Sequence, residues 1–184
     1  MNSATQASDL RSQQRTVGKG VAVGILCMSA IISGVYWALD PLSGMEVLSN
    51  RLAHAIGCNA VAVVMLLIGI GLVGNARALS PAINPLLGAE SARTQIYGRY
   101  LTNTLEQFVL FAAVILALSL YLNDQSMTLL PALTANFIIG RVIFLAGYLR
   151  NPLHRAAGFA MTMYPTIICL VYVLWRIATS GIPR

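Results

Sequence analysis

Long apolar stretches, separated by short polar segments, run through the chain from residue 21 onward. Four of the five stretches carry no charged side chain, and the other carries one, Arg141. A helix of about 20 apolar residues crosses the hydrocarbon core, and lipid permits no other open backbone arrangement. The pattern therefore predicts an all-α integral membrane protein with five spans, at residues 21–39, 55–74, 107–123, 125–149 and 156–175.

The first stretch has an alternative interpretation as a cleaved signal peptide. Its length and the aromatic pair Tyr36 and Trp37 favour retention as a span, since a signal peptide has a shorter apolar region. The predicted architecture is a four-helix transmembrane bundle preceded by one extra helix, and segment 76–98 is expected to be an ordered loop. The predicted segments are a disordered cytoplasmic tail at 1–18, the extra helix and an external loop at 19–49, the four-helix domain at 50–178, and a short tail at 179–184.

Composition and charge support a membrane protein and indicate its orientation. Only 10% of the residues are charged, against about 25% in soluble domains, and the net charge is +6. The basic residues flank the spans instead of forming one patch, which argues against a nucleic-acid partner. With a cytoplasmic N-terminus, Arg51, Arg176 and Arg184 are external, and eight basic residues are cytoplasmic, as the positive-inside rule expects: Arg11, Arg15, Lys19, Arg77, Arg93, Arg99, Arg150 and Arg155.

The cysteines and histidines offer no chemistry of their own in this pattern. Cys27, Cys58 and Cys169 fall singly in three different spans, without metal-type spacing or a disulfide framework. His54 and His154 lie at span edges with no second ligand at metal spacing. We therefore predict no metal site.

Two polar clusters lie where lipid would make polar side chains costly. Arg99, Asn103 and Glu106 are spaced by four and three, which puts them on one helical face. Arg141, Phe144, Tyr148 and Arg155 follow at steps of three, four and seven along a second stripe. Both stripes open toward the predicted cytoplasmic side, so they are expected to form one site.

The side chains of these clusters suit a small zwitterion with an excess of carboxylate. Arginines bind carboxylates bidentately, Glu106 can receive an ammonium group, and a guanidinium stabilises a nearby thiolate. A thiol tripeptide such as glutathione fits this chemistry. The alternative is structural, with Arg141 and Glu106 pairing to lock two helices and the other arginines acting as topology anchors.

The two clusters resemble signatures of the MAPEG family, the membrane-associated proteins in eicosanoid and glutathione metabolism. One motif is Arg99-x-x-x-Asn103-x-x-Glu106, leading to Phe111. The other is Gly140-Arg141, then Gly147-Tyr148, then Arg155, followed by Gly158-Phe159. The resemblance covers roughly residues 50–177 and leaves the first span outside.

The resemblance implies a homotrimer of four-helix protomers that binds glutathione, as co-substrate, between subunits near the cytoplasmic side. Arg99, Asn103, Glu106 and Tyr148 would hold the tripeptide, and Arg155 would activate its thiol. Two further arginines are implied in the polar shell, Arg141 paired with Glu106, and Arg77 at the end of the family's first helix.

The function that follows is a membrane glutathione transferase, with peroxidase activity as a related reaction, that detoxifies lipophilic electrophiles. The chain departs from the leukotriene-forming member at Gln107 and Phe144, where that member has tyrosines. A non-catalytic lipid-binding or scaffold protein of the same fold therefore stays open, and a transporter or channel is the third class considered. An arginine-rich, almost lysine-free chain suits a bacterial inner membrane, with the endoplasmic reticulum as the alternative.

Overall fold

The computed structural model describes residues 3–181 and shows, over that range, a bundle of α-helices joined by turns and loops. Five segments within it are long and apolar enough to cross a membrane. The second crossing comprises two helices, α2 and α3, which adjoin at Val63. The helices are α1 (Ser3–Ala38), α2 (Leu48–Ala62), α3 (Val64–Ala78), α4 (Ala92–Tyr121), α5 (Leu129–Arg150) and α6 (Ala156–Ser180).

The architecture confirms the predicted four-helix membrane unit with one extra N-terminal helix. The α2–α3 segment, α4, α5 and α6 form the unit, and its core includes Phe111, Ile115, Leu130 and Phe137, with Phe111 and Phe137 stacked at 4.6 Å between ring centroids. Helix α1 packs outside this core, against α5 and α6.

The structure corrects two segment predictions. Residues 3–18, expected to be a disordered tail, continue α1 as helix, because no proline or glycine interrupts them before Gly18 and a formed span extends one residue at a time without new nucleation. The loop expected at 76–98 is only 79–91, since Ser91 caps α4 by accepting a hydrogen bond from Thr94 N at 3.1 Å. Residues 1–2 and 182–184 of the predicted tails lie outside the described residues.

The bundle has two ends that matter for the site. One end carries Arg77, Arg99 and Arg155, at the end of α3, near the start of α4 and just before α6, and we call it the arginine end. The other end carries the C-terminal ends of α1, α4 and α6, and we call it the opposite end.

Helix α1 is attached to α6 through close backbone contact at the arginine end. A β-carbon on Gly20 would lie 3.1 Å from Ala156 Cβ, and one on Gly24 would overlap Ala157 O. Glycine at these positions lets the two helices approach as small residues do in membrane helix pairs.

We expect Gly24→Leu to detach α1 from the bundle while leaving the four-helix unit folded. The added side chain meets backbone on α6, which cannot move aside. Amide hydrogen exchange should become faster by at least tenfold along the second half of α1 and stay unchanged in α4 and α5. Gly34→Leu is the matched control, because a β-carbon there has open space around it. Equal exchange in the two variants would contradict the contact.

Candidate functional site

An open cleft at the arginine end collects most of the polar residues predicted from the sequence. Its volume is about 560 Å³, and both acidic and basic side chains reach its surface. Helix α4 supplies most of the wall, and the loop before α4 and the turn before α6 supply the rest. The lining residues are Glu90, Gln95, Gly98, Arg99, Thr102, Asn103, Glu106 and Arg155.

The α4 wall follows from helical spacing. Arg99 and Glu106 are exposed, and Asn103 is half-buried between them in sequence. At 100° per residue, Asn103 lies at the border of the buried face of α4, with Arg99 and Glu106 about 40–60° further toward the open side. One helix thus presents a cation, an amide and an anion to the same cleft.

Tyr148 lies beneath the cleft and supports its two arginines. Its hydroxyl is 3.5 Å from Arg99 Nη1, a weak contact, and the Arg155 guanidinium carbon is 5.1 Å from the centre of its ring. A cation over an aromatic face is attracted by the ring quadrupole. Tyr148 is only 2% exposed, so in the single chain it positions Arg99 and Arg155 and does not line the cleft.

Arg141 is fully buried behind the cleft and is bonded to Asn103. Its Nη1 donates to Asn103 Oδ1 at 2.9 Å, and its Nη2 donates to Thr162 Oγ1 at 2.7 Å and to Gly158 O at 3.2 Å. Its guanidinium carbon also lies 4.7 Å from the centre of the Phe144 ring. The buried cation is therefore held by neutral acceptors and an aromatic face.

The expected pairing of Arg141 with Glu106 is not formed in the chain. Glu106 points to the exposed side of α4, while the buried border of the helix presents Asn103 to Arg141. Helical spacing allowed either partner, because Asn103 and Glu106 lie within one narrow arc. Burial decides between them, since only the residue at the border reaches α5 and α6.

The two departures from the leukotriene-forming member also lie behind the cleft. Gln107 is buried and accepts a hydrogen bond from Thr162, and Phe144 is buried against Tyr100, Tyr148 and Arg141. Neither lines the cleft. The replaced phenols therefore alter the packing under the site and leave its exposed polar set unchanged.

Arg77 contacts the site only indirectly, by pairing with Glu90, an acidic residue that the sequence analysis missed. Arg77 Nη2 is 2.6 Å from Glu90 Oε1, and its Nε is 3.0 Å from the same oxygen. Glu90 lines the cleft, so Arg77 lies one side chain behind its wall. A sequence signal existed, because Glu90 is the one acidic residue between Arg77 and Arg93.

The charges on the cleft wall favour an anion that also carries a positive group. Arg99 and Arg155 are exposed at the wall, whereas Glu90 is neutralised by Arg77. Glu106 forms no ion pair within residues 3–181. The wall therefore offers two cations for anionic groups and one carboxylate for an ammonium group.

The residues of the site lie within the part of the chain that a protein-family sequence model matches. The sequence model of the MAPEG family matches residues 52–175, which include every predicted site residue from Arg77 to Arg155. The chain belongs to the MAPEG family. Within this MAPEG chain, α1 precedes the matched region and is an addition to the family unit.

Two mammalian relatives extend the comparison. The chain is 26% identical to transmembrane protein 79 of Mus musculus over 167 residues, covering 90% of the chain and 42% of that protein. It is 25% identical to transmembrane protein 79 of Bos taurus over 154 residues, covering 83% of the chain and 38% of that protein. The chain thus spans about two fifths of these relatives, and the likeness to the mouse protein reaches into the segment before residue 52. No solved structure matches the chain.

Proposed function

We propose that this MAPEG protein is a membrane-bound glutathione transferase that adds the glutathione thiol to lipophilic electrophiles entering from the bilayer. The observation that carries the proposal is the assembly of Arg99, Asn103, Glu106 and Arg155, all selected from the sequence, on the wall of one cleft. A cleft of about 560 Å³ also falls in the usual range for small-molecule sites, roughly 300–1,000 Å³.

Each cleft side chain has a role in holding the tripeptide. Glutathione carries two carboxylates and one ammonium group, so Arg99 complements a carboxylate and Glu106 complements the ammonium group. Asn103 has its carbonyl oxygen engaged by Arg141, so its amide nitrogen remains available to donate to the peptide backbone of the ligand. Arg141 thereby fixes the orientation of Asn103 from behind.

Thiol activation is assigned to Arg155. A free thiol has a pKa of about 8.5, and a neighbouring guanidinium lowers it by stabilising the thiolate. The thiol proton leaves to solvent through the open cleft, the sulfur forms a bond to the electrophilic carbon, and the leaving group departs with its electron pair. With a lipid hydroperoxide as the acceptor, the same thiolate would attack the terminal oxygen and break the O–O bond, leaving a sulfenic acid and releasing the lipid alkoxide, which takes a proton from solvent. A second glutathione thiol would then attack the sulfenic sulfur, giving glutathione disulfide and water.

A homotrimer would complete the site. Glu106 is exposed in a spanning helix, and the exposed side chains Leu105, Val109 and Leu110 adjoin it on α4. Contact with lipid would be energetically unfavourable for the Glu106 carboxylate. A second copy of the chain could instead cover this face of α4 and close the cleft. The same proposal places the arginine end in the cytoplasm, since that end carries the basic residues beside the spans.

Arg99→Ala is expected to weaken glutathione binding by about 10- to 100-fold, because a charge-assisted hydrogen bond is worth about 1.5–3 kcal/mol. Isothermal titration calorimetry in detergent measures this directly. Arg93→Ala is the matched control, since Arg93 lies on the same helix and contacts Tyr97 without lining the cleft.

Glutathione binding by the unchanged protein and by these two variants distinguishes a transferase from a non-catalytic lipid-binding protein. Binding that is lost in Arg99→Ala and kept in Arg93→Ala supports the transferase and makes a conjugation assay the next step. A folded, oligomeric protein with no affinity for glutathione would overturn the proposal and favour the non-catalytic lipid-binding alternative.

A further inference from the structure

A second large cavity lies at the opposite end of the bundle, between α1 and the four-helix unit. This groove has a volume of about 590 Å³, and its wall is mainly apolar. It is lined by Ile32, Ser33, Tyr36 and Trp37 of α1, Leu118 of α4, Leu122 and Ser126 in the connection between α4 and α5, Leu129 at the start of α5, and Ile168, Cys169 and Tyr172 of α6.

The groove exists because α1 is anchored closely at one end only. Gly24 and Met28 of α1 are buried against the bundle, whereas Ile32 and Tyr36, further along the same helix, are partly exposed and line the groove. Small residues give way to large ones along this face of α1. A gap between helices therefore opens toward the opposite end of the span.

The position of the groove restricts what can fill it. The lining residues of α1 and α4 lie in the last turns of spanning helices, and those of α6 lie about two to three turns before its end. The groove therefore runs from the tyrosine and tryptophan side chains that favour the membrane interface toward the middle of the span. The segments that line it on α1 and α6 rise about 6–8 Å at 1.5 Å per residue. That height accommodates the glycerol region and the upper part of an acyl chain.

A cation at the mouth of the groove indicates the head group. Arg176 Nη1 donates to the hydroxyl of the groove residue Tyr172 at 3.1 Å, and the guanidinium carbon lies 5.6 Å from the centre of the Tyr121 ring. Arg176 is partly exposed and has no carboxylate partner within residues 3–181. Its remaining donors can bind a phosphate, which arginine recognises bidentately.

We propose that the groove is a binding site for an anionic phospholipid, with its upper acyl chain against Ile32, Leu122 and Ile168 and its phosphate at Arg176. The hydroxyls of Ser33 and Ser126 in the wall supply donors for the ester oxygens. The lipid fills the space between α1 and α6 and so fixes the end of α1 that direct packing leaves loose. This site is separate from the glutathione cleft and shares no lining residue with it.

The test uses the full chain reconstituted with equal amounts of dioleoyl phosphatidylglycerol and dioleoyl phosphatidylcholine, then extracted in mild detergent. Native mass spectrometry counts and identifies the lipids that stay bound. We expect phosphatidylglycerol to be retained with at least fivefold enrichment over phosphatidylcholine. Arg176→Gln should abolish the enrichment, and Arg176→Lys should keep most of it.

A steric variant tests the groove independently of charge. Ser33→Phe places an aromatic ring in the groove and should lower retention of both lipids by at least fivefold, whereas Ser29→Phe, one turn earlier on α1 and outside the groove, should not. Lys19→Gln controls for loss of a cation at the arginine end. Equal retention of the two lipids by the unchanged protein, or enrichment that survives Arg176→Gln, would overturn the proposal.

Discussion

Replacing Arg155 with leucine is expected to lower kcat/KM for glutathione conjugation by about 100- to 1,000-fold, the usual loss when a charge-stabilising group is removed from a reacting centre. The thiol would return toward its solution pKa of about 8.5, so less thiolate would form at neutral pH. The activity of the variant should therefore rise with pH up to about 9, where the activity proposed for the unchanged protein has already levelled off. A pH–rate profile in detergent with a generic electrophile measures both effects.

Arg150→Leu is the matched control for this experiment, because Arg150 is exposed at the end of α5 and does not line the cleft. Arg155→Lys should recover part of the rate, since it keeps the charge and loses the fork of donors. Oligomeric state and melting temperature should be the same in all of these variants. If Arg155→Leu kept the full rate and the same pH profile, thiol activation would belong to another group.

Gly158→Ala is expected to destabilise the bundle by about 3 kcal/mol or more and to lower the melting temperature by roughly 6–12 °C. A β-carbon on Gly158 would lie 2.6 Å from Phe144 Cα and would overlap Phe144 N and Gly140 O. These neighbours are backbone atoms of α5, so no side-chain rotation relieves the overlap. Helices α5 and α6 must separate, and thermal unfolding followed by circular dichroism reports the cost.

The same substitution should also weaken glutathione binding through Arg141. Gly158 O accepts a hydrogen bond from Arg141, which in turn holds Asn103 at the cleft, so a shift of α6 moves a cleft residue indirectly. Gly71→Ala is the control, because a β-carbon on that exposed glycine has open space around it. It should leave stability unchanged or raise it by about 0.5–1 kcal/mol. A Gly158→Ala protein as stable as Gly71→Ala would contradict the close packing.

The fold was predictable from the sequence because membrane spans have a strong signal. Apolar length identifies the crossings, and lipid excludes unpaired backbone, so helices at 107–123 and 125–149 follow from hydropathy alone. The polar segments that extend these helices beyond the apolar stretches gave no hydropathy signal. Residues 3–18 and 92–98 are helical although hydropathy predicted a tail and a loop, because helix propagation and the cap at Ser91 determine where these helices begin.

The site was predictable to the level of one helical face and no further. Spacing placed Arg99, Asn103 and Glu106 on one side of α4, and they do line one cleft. Spacing could not choose which of them meets Arg141, since that depends on how deeply α4 is buried against α5 and α6. The Arg77–Glu90 ion pair depends on the path of the loop between α3 and α4, which no periodicity encodes.

The added helix α1 raises the number of crossings from four to five. With an odd number of crossings, the two ends of the described chain lie on opposite sides of the membrane. Ser3 and Gly181 consequently face different compartments, whichever way the protein is inserted. A fusion tag or a partner protein at one end is therefore exposed to a different solution, redox potential and ion composition from one at the other end. Helix α1 contacts α6 at the arginine end and ends beside Trp37 at the opposite end, so this one helix connects the two compartments.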